Sequence, residues 1–547
     1  MKYYLILIIL ILNISAPAYG ESEGKSKTKN SILRWLQLPD YGKKNKKLKL
    51  NKGSEVSWSK PAPKIPHGQM RLEESVALAL RHNRTIKSAY LNRISEKYTL
   101  QVAEDEFNLD YSITPQYGLS STGRTNPPQG VPRTNTHAFG SSFSLSKRAK
   151  TGASLSFAWA NSITDAEEAK PSLTTSWTLS ATQPLLRGAG IDVNTVNLRT
   201  ARITNENNIL TLQSTIISTI TSIITTYRTY LQTYRKRNIA KQALNRTKKQ
   251  LKVNKALIKA GRLAGIELIQ TQADIAQKEF DLITSRNTLD NSRLTLLRAM
   301  NVDKGTKVQP IDSLKFELLK PDYDKSVKIA LANRVDYLQA LNNLEVTKMG
   351  LIVAKNSRLW DLSATGSATI SETNSSFHDA ERRLFSSTRN DYTAGLSLTI
   401  PFGDLSRHSS YVSTTVGFEN AKIALQTLKE RIQIDIADRI RDIKLKILQL
   451  DLARRSRKLS KKKLDVELMK LKSGLTTNFQ VVTFQNDLRT SEINETDSII
   501  NYQNALTEFD QALGTTLKTW KIELVNQPET WDSILYKLEE DKFFNSE

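Results

Sequence analysis

The chain has 547 residues, a formal charge of +24 and no cysteine. Without cysteine, a disulfide scaffold, a Cys-ligated metal centre and an acylated lipoprotein amino terminus are excluded. The basic excess would suit a nucleic-acid partner in the cytoplasm, and the start of the chain argues against that compartment.

Met1-Lys2 precedes an apolar run, Tyr3 to Ile14, that is short for a membrane span, and the small residues of Ala18-Tyr19-Gly20 stand before Glu21. This is the pattern of a secretory signal over residues 1–20. No later stretch offers ~18 consecutive apolar residues, so any crossing of a bilayer falls to strands. Residues 21–70 are rich in Lys, Ser and Pro, with Lys43-Lys44-Asn45-Lys46-Lys47 at their centre. Such a stretch buries too little apolar surface to offset its own chain entropy. It reads as a basic, largely disordered extension, either a solvated linker or an attachment to an anionic surface such as cell wall or lipid headgroups.

A helix is predicted over Leu72–Phe107, leading into alternating sequence at Tyr111–Gly118. Two more alternating runs, Ala138–Ser146 and Thr151–Trp159, are joined by Lys147-Arg148-Ala149-Lys150. Ser172–Gln183 puts Leu173, Thr175, Trp177 and Leu179 on one face of a strand that Pro184 ends. The period then changes. Ile209, Leu212, Ile216, Ile220, Ile223, Tyr227, Tyr230 and Tyr234 recur at helical steps, and no Pro or Gly interrupts before Gly261. About 68 residues at ~1.5 Å each make a helix on the order of 100 Å. A half-length helix returns over Gly265–Met300.

The plan then repeats. One gapless offset pairs Ala89 with Ala340, Asn92 with Asn343, Ala103 with Ala354, Asp110 with Asp361 and Ser112 with Ser363. The second copy has a helix over Asp324–Arg358, a strand at Leu362–Ile370, a polar loop, and a strand at Ala394–Gly403 whose Pro401 stands where Pro184 does. A long stripe from Leu428 through Ile432, Ile436, Ile440, Ile443 and Ile447 runs to Gly474, and a helix returns over Thr477–Leu513. The domain reading is a first repeat over 71–315, a second over 316–515, and a tail over 516–547. The fold class is mainly α with a transmembrane β part. Catalysis finds no support. The five histidines lie in unrelated segments, no nucleotide, hydrolase or metal motif occurs, and most carboxylates stand among Lys and Arg on helices. No enzyme, cofactor or bound metal is expected.

The paired Ser75-Val-Ala-Leu-Ala-Leu80 and Ser326-Val-Lys-Ile-Ala-Leu331 helix starts, Gln183-Pro184-Leu185-Leu186-Arg187-Gly188, Leu396-Ser-Leu-Thr-Ile-Pro401-Phe402, the two Gly turns and Arg286-Asn-Thr-Leu-Asp-Asn291 resemble the TolC-type outer-membrane factors of the outer-membrane efflux protein family. The resemblance covers roughly residues 70 to 515. It implies a homotrimer whose strands close one β-barrel in outer-membrane lipid, continued by a twelve-helix periplasmic tunnel. It further implies a periplasmic adaptor, an inner-membrane transporter, and a role as the exit duct of a tripartite efflux or type I secretion system. The same elements also suit a structural coiled-coil protein of the envelope, which would leave the alternating segments unexplained. Four strands per protomer are the common count of that family, and six candidates stand here.

Site residues follow from the turns. Gly261, Leu263 and Gly265 form one tip and Gly474, Leu475 and Thr477 the other, each either a docking point for the adaptor or a plain helix cap. In the best-known family members a Tyr, an Arg and two Asp around the second turn close the tunnel. Here those positions hold Leu471, Thr476, Gln480 and Thr483, with Asp487 as the nearest carboxylate. The expected gate is closed by packing of Leu471, Phe479 and Val482 rather than by an ion-pair ring. Lys241, Lys248, Lys252, Lys255, Lys259 and Arg262 share one helical face, facing either the exterior or an electropositive lumen.

Overall fold

The computed structural model describes residues 68–123, 133–166, 171–314, 318–384 and 390–522, all within the compact unit Lys60–Glu547. The predicted signal, most of the basic extension and the end of the tail lie outside these residues. Gln69–Met70, assigned by sequence to the extension, form a short strand β1, and Met70 is fully buried.

The first predicted helix is two helices, α1 (Leu72–His82) and α2 (Arg84–Asp105). Asn83 divides them. Its extended backbone ends α1, and its side chain accepts from the N–H groups of Thr85 and Ile86, supplying the cap of α2. The same correction applies in the second repeat, where Arg334 separates α6 (Tyr323–Asn333) from α7 (Val335–Ser357). Arg334 is held there by a fork onto Asp336 and by Asp435 at 2.7 Å. Hydrophobic periodicity runs across both breaks, which is why it reads as one helix.

The long elements are as the stripes require. After a one-turn α3 (Ile191–Asn194), α4 spans Val196–Lys259 and returns as α5 (Ile266–Met300). In the second repeat α9 spans Leu405–Lys472 and returns as α10 (Asn478–Ala512). At ~1.5 Å per residue both long helices reach about 100 Å. The most apolar part of α4 is rich enough to cross a membrane by composition. Instead Ile216, Ile220, Ile224 and Tyr227 pack against Val76, Ala79 and Ile86 of α1 and α2 and Leu296, Leu297 and Met300 of α5. A second core joins Ile432, Ile436 and Ile443 of α9 to Tyr502, Ala505 and Phe509 of α10 and Val327 and Ala330 of α6. The helices thus stand as four columns: α1 and α2 above α5, then α4, then α6 and α7 above α10, then α9.

Asp312 fastens the first repeat at mid-height. Its Oδ2 accepts from Leu72 N at 2.8 Å and from the Tyr227 hydroxyl at 2.7 Å, while β1 pairs in parallel with β6 (Gln309–Pro310). Burial, then the neighbouring carboxylate, pushes the Tyr227 phenol far above its usual range. The start of the predicted tail forms α11 (Thr516–Thr519), and Leu517 enters the first repeat's core.

All six alternating segments belong to one antiparallel sheet in the order β2 (Leu109–Gly123), β3 (Arg133–Arg148), β4 (Ser154–Ala166), β5 (Ser172–Pro184), β7 (Asp361–Asn374), β8 (Asn390–Thr399). The added hairpin β3–β4 is therefore part of the sheet, which answers the choice between four strands and six. Its inner turn is keyed into the elbow between sheet and α4. Gly152 has φ 95°, and a Cβ there would stand 2.3 Å from the Gly188 carbonyl. Asn194 Nδ2 donates to the carbonyls of Gly188 and Gly190, and Gly190 N donates to Thr151 O at 3.1 Å.

The polar loop predicted between the last two strands contains a helix, α8 (Phe377–Leu384). Ala380 and Leu384 are buried under it, and Glu381 Oε1 accepts from Trp159 Nε1 and Thr175 Oγ1, each at 3.0 Å. Only Ala380, Leu384 and neighbouring Phe377 carry its apolar side, too few for a sequence signal.

Candidate functional site

The register divides the sheet into two unlike faces. Cross-strand partners Ile113, Phe143, Trp159, Trp177 and Ile370 lie on one, as do Phe157, Leu179 and Leu396. The other is a field of hydroxyls, with Ser112 paired to Ser144 at 2.8 Å, Ser156 to Ser180 at 2.7 Å and Ser367 to Thr393 at 2.7 Å. One apolar face and one polar face on strands of ten or more residues is the pattern of a wall between lipid and water.

Opposite the sheet, both Gly turns are built alike. Gly261 (φ 67°) follows Ala260, the C-cap residue of α4, with Arg262 N donating to Leu257 O and Gly261 N to Ile258 O. Gly474 (φ 74°) repeats this, with Leu475 N donating to Lys470 O and Gly474 N to Leu471 O. These are Schellman caps, and they need the left-handed conformation that glycine tolerates. Gly265 is the N-cap residue of α5 and Thr477 that of α10, neither with a side-chain cap bond. Leu475 is 77% exposed and Ile266, beside Gly265, is 69% exposed, whereas Leu263 is half-buried.

The predicted gate residues are not gathered in one place. Leu471 is buried inside its own hairpin with Leu464, Val481, Phe484 and Leu488, while Phe479 is 60% exposed. Val482, Thr483 and Gln480 are half-buried. Thr476 donates to Glu467, and Asp487 lies 3.4 Å from Lys463. The six residues of the basic face are all exposed, and Lys248 pairs with Glu279 at 2.7 Å.

The seam between α4 and α10 was not read from sequence. It joins the two tips, and it is polar from mid-height downward. Arg228 donates to Gln503 O, Asn504 Oδ1 and Thr507 Oγ1. Below it Lys236 meets Asp497 at 2.8 Å, and Arg246 grips Glu492 with both terminal guanidinium nitrogens. At the base, Asn254 Nδ2 donates to Asn478 Oδ1 (2.7 Å) and Thr271 Oγ1 (2.8 Å), and its Oδ1 accepts from Gln250 Nε2 (2.7 Å). Thr247, Gln250, Asn254, Thr271, Asn478 and Gln485 are all buried. Lys278, also buried, donates to Asn486 Oδ1 at 2.6 Å beside Asp274. Burial lowers the Arg228 guanidinium to about 10, below its usual value, and the three acceptors it meets are neutral. The sequence signal was available: Thr247, Gln250 and Asn254 continue the steps of Ala240 and Ala243, polar residues at positions where a helical hairpin puts apolar ones. Along this seam the two hairpins are fastened to each other largely by hydrogen bonds and ion pairs. Such a joint demands particular partners and can be undone without exposing a hydrophobic core.

Comparison with known proteins agrees with this geometry. The sequence profile of the family described as Outer membrane efflux protein matches residues 76–302. No curated protein sequence matches. Among solved structures, CusC aligns with a TM-score of 0.62 at 13% identity, over 81% of this chain and 92% of that one. The Campylobacter jejuni outer membrane channel CmeC aligns at 0.59 and 15% identity, over 87% and 90%. The Vibrio cholerae outer membrane protein VceC aligns at 0.59 and 14% identity, over 81% and 96%. At such identities the structures attest the fold, which is the one seen in those outer-membrane channels. Over residues 76–302 the chain is thus similar to the outer membrane efflux protein family, and its fold is that of outer-membrane channels of the TolC type.

Proposed function

We propose that the protein is the exit duct of a tripartite efflux or type I secretion system, working as a homotrimer. The observation that carries this is that both borders of the chain are unfinished, and in matching ways. β2 and β8 are the edges of the sheet and are exposed along their whole lengths. β2 leaves α2, which stands with α5 in the first column, and β8 leads to α9, the last column. Along α9 the exposed residues Leu445, Leu448, Leu452, Leu459, Val466 and Met469 keep a heptad spacing. On the opposite border Leu91, Tyr98 and Val102 of α2 and Ile266, Ile269, Phe280 and Ile283 of α5 are likewise exposed. An open strand edge in lipid is not viable and an exposed heptad seam is costly. Copies joined border to border satisfy both at once, and a ring of three gives twelve helical columns.

In this reading Leu475 and Ile266 at the tips meet the periplasmic adaptor, and the polar seam joining α4 to α10 holds the tips together. The reading is tested in outer-membrane fractions. Trimers that survive detergent and dissociate on heating are expected, as is a transport defect on deletion. A monomer with no transport phenotype would favour the structural envelope protein instead.

A further inference from the structure

The first repeat contributes four strands to the sheet and the second contributes two, and the difference is the hairpin β3–β4. It is neither a flap nor a plug. β3 is paired with β2 from Arg133 to Lys147, and β4 with β5 from Ser154 to Thr164, so the hairpin is bonded on both sides along almost its full length. The two faces of the sheet continue through it unbroken. Phe143 and Phe157 lie on the apolar face, and Ser142, Ser144, Ser156 and Ser162 on the hydroxyl face. Among the described residues that polar face carries charge only at strand ends, at Asp110, Arg148, Asp361 and Asp391. Across the middle it presents Ser, Thr, Gly, Ala and Gln116 alone.

We propose that the outer pore is an eighteen-stranded, uncharged, hydroxyl-lined barrel that passes bulky hydrated cargo of either charge. This rests on the homotrimer, because three six-stranded copies close the barrel. Strands ~4.8 Å apart and tilted ~40° give a backbone diameter of about 36 Å for eighteen strands and about 24 Å for twelve. Ser and Thr side chains remove about 4 to 5 Å at each wall, leaving a clear width of about 27 Å against about 15 Å. The wider pore admits a small folded peptide or a hydrated polymer about 20 Å across, which the narrower one does not. Paired hydroxyls offer hydrogen bonds to a hydrated solute and no fixed charge to select it, so any charge preference of the duct arises at the strand ends or farther down, on the helices.

Because the chain has no cysteine, single replacements report position directly. Thr182→Cys lies on the hydroxyl face near the helical end of β5, and polymer-linked maleimides of graded size can be added to whole cells from outside. Polymers about 20 Å across should label the full chain, and a variant lacking residues 133–166, with β2 joined to β5, should exclude them by at least ~10-fold in rate. Cationic and anionic reagents of equal size should differ less than ~2-fold at Thr182→Cys. The same size cut-off in both proteins, or a large charge preference, would overturn the proposal. If the shortened chain does not assemble, the full chain decides the matter: a charged maleimide should label Ser142→Cys and spare Phe139→Cys, and equal labelling of the two refutes a spanning hairpin. Unheated electrophoresis reads the assembly separately. A trimer with an unchanged cut-off removes the wide pore and leaves the duct, and the absence of a trimer removes both.

Discussion

Asn254→Ala tests whether the polar base of the seam holds the tips together. The side chain is fully buried and makes three hydrogen bonds, to Gln250, Thr271 and Asn478. Alanine removes all three and strands Gln250 Nε2 and Asn478 Oδ1 without these partners. At ~1 kcal/mol net per bond, and more for each buried group left unpaired, the joint weakens by about 3 to 5 kcal/mol. Since every 1.4 kcal/mol is tenfold, local opening should become roughly 10² to 10³ times more frequent. The assay is amide hydrogen exchange of the purified protein, read on peptides covering 247–271 and 478–488. Peptides around Ile216–Tyr227 serve as the internal control, because their core is apolar and remote from Asn254 in sequence. Faster exchange confined to the tips is expected. Unchanged exchange there, or an equal rise in the control, would show that the seam does not act as a local fastener.

Gly474→Val should leave trimers intact and abolish export, since the cap needs φ 74° and the replacement distorts the tip at a cost of about 1 to 2 kcal/mol; normal export would remove the docking role. Burial would raise the Asp336 carboxyl, but the fork from Arg334 outweighs it and holds the group below its ordinary value. Its contribution is therefore complete above the ordinary value of 3.8 and lost as pH falls through the depressed one, so thermal melts should be flat near neutrality and the wild type should decline below about pH 4 more steeply than Asp336→Asn. A thiol reagent too large for the tunnel should label Lys248→Cys and Lys255→Cys if the basic face is exterior, and protection of both would assign it to the lumen. Planar-bilayer recordings should show little block by trivalent cations from the periplasmic side, because Gln480 and Thr483 carry no charge; strong block at micromolar concentration would mean that a carboxylate ring is supplied from elsewhere.

Much of the architecture was legible because it is periodic. The steps of three and four from Ile209 to Tyr234 and from Leu428 to Ile447 translate directly into buried columns, and alternation at Ser172–Gln183 into a strand whose faces differ. Breaks set by one residue were not legible. Asn83 and Arg334 interrupt helices whose apolar spacing continues past them, and only the caps and ion pairs they make in space reveal it. The tip residues were placed correctly on their turns because glycine in a left-handed cap leaves a sequence mark. The seam was missed for the opposite reason: Asn254, Thr271 and Asn478 lie on three helices, and what they share is a location that no single stretch of sequence expresses.

In the proposed ring of three, the inserted hairpin also matches the girth of the strands to that of the helices. Twelve columns about 9.5 Å apart have a perimeter of about 114 Å. Eighteen strands at an ordinary ~40° tilt have a perimeter of about 113 Å, so the two tubes meet edge to edge. Twelve strands would have to lean about 60° to reach the same girth. With Gly152 lodged against the carbonyl of Gly188 at that junction, β3–β4 would bring the rim of such a barrel level with the rim of the tunnel, and the bore would run from one into the other without a collar.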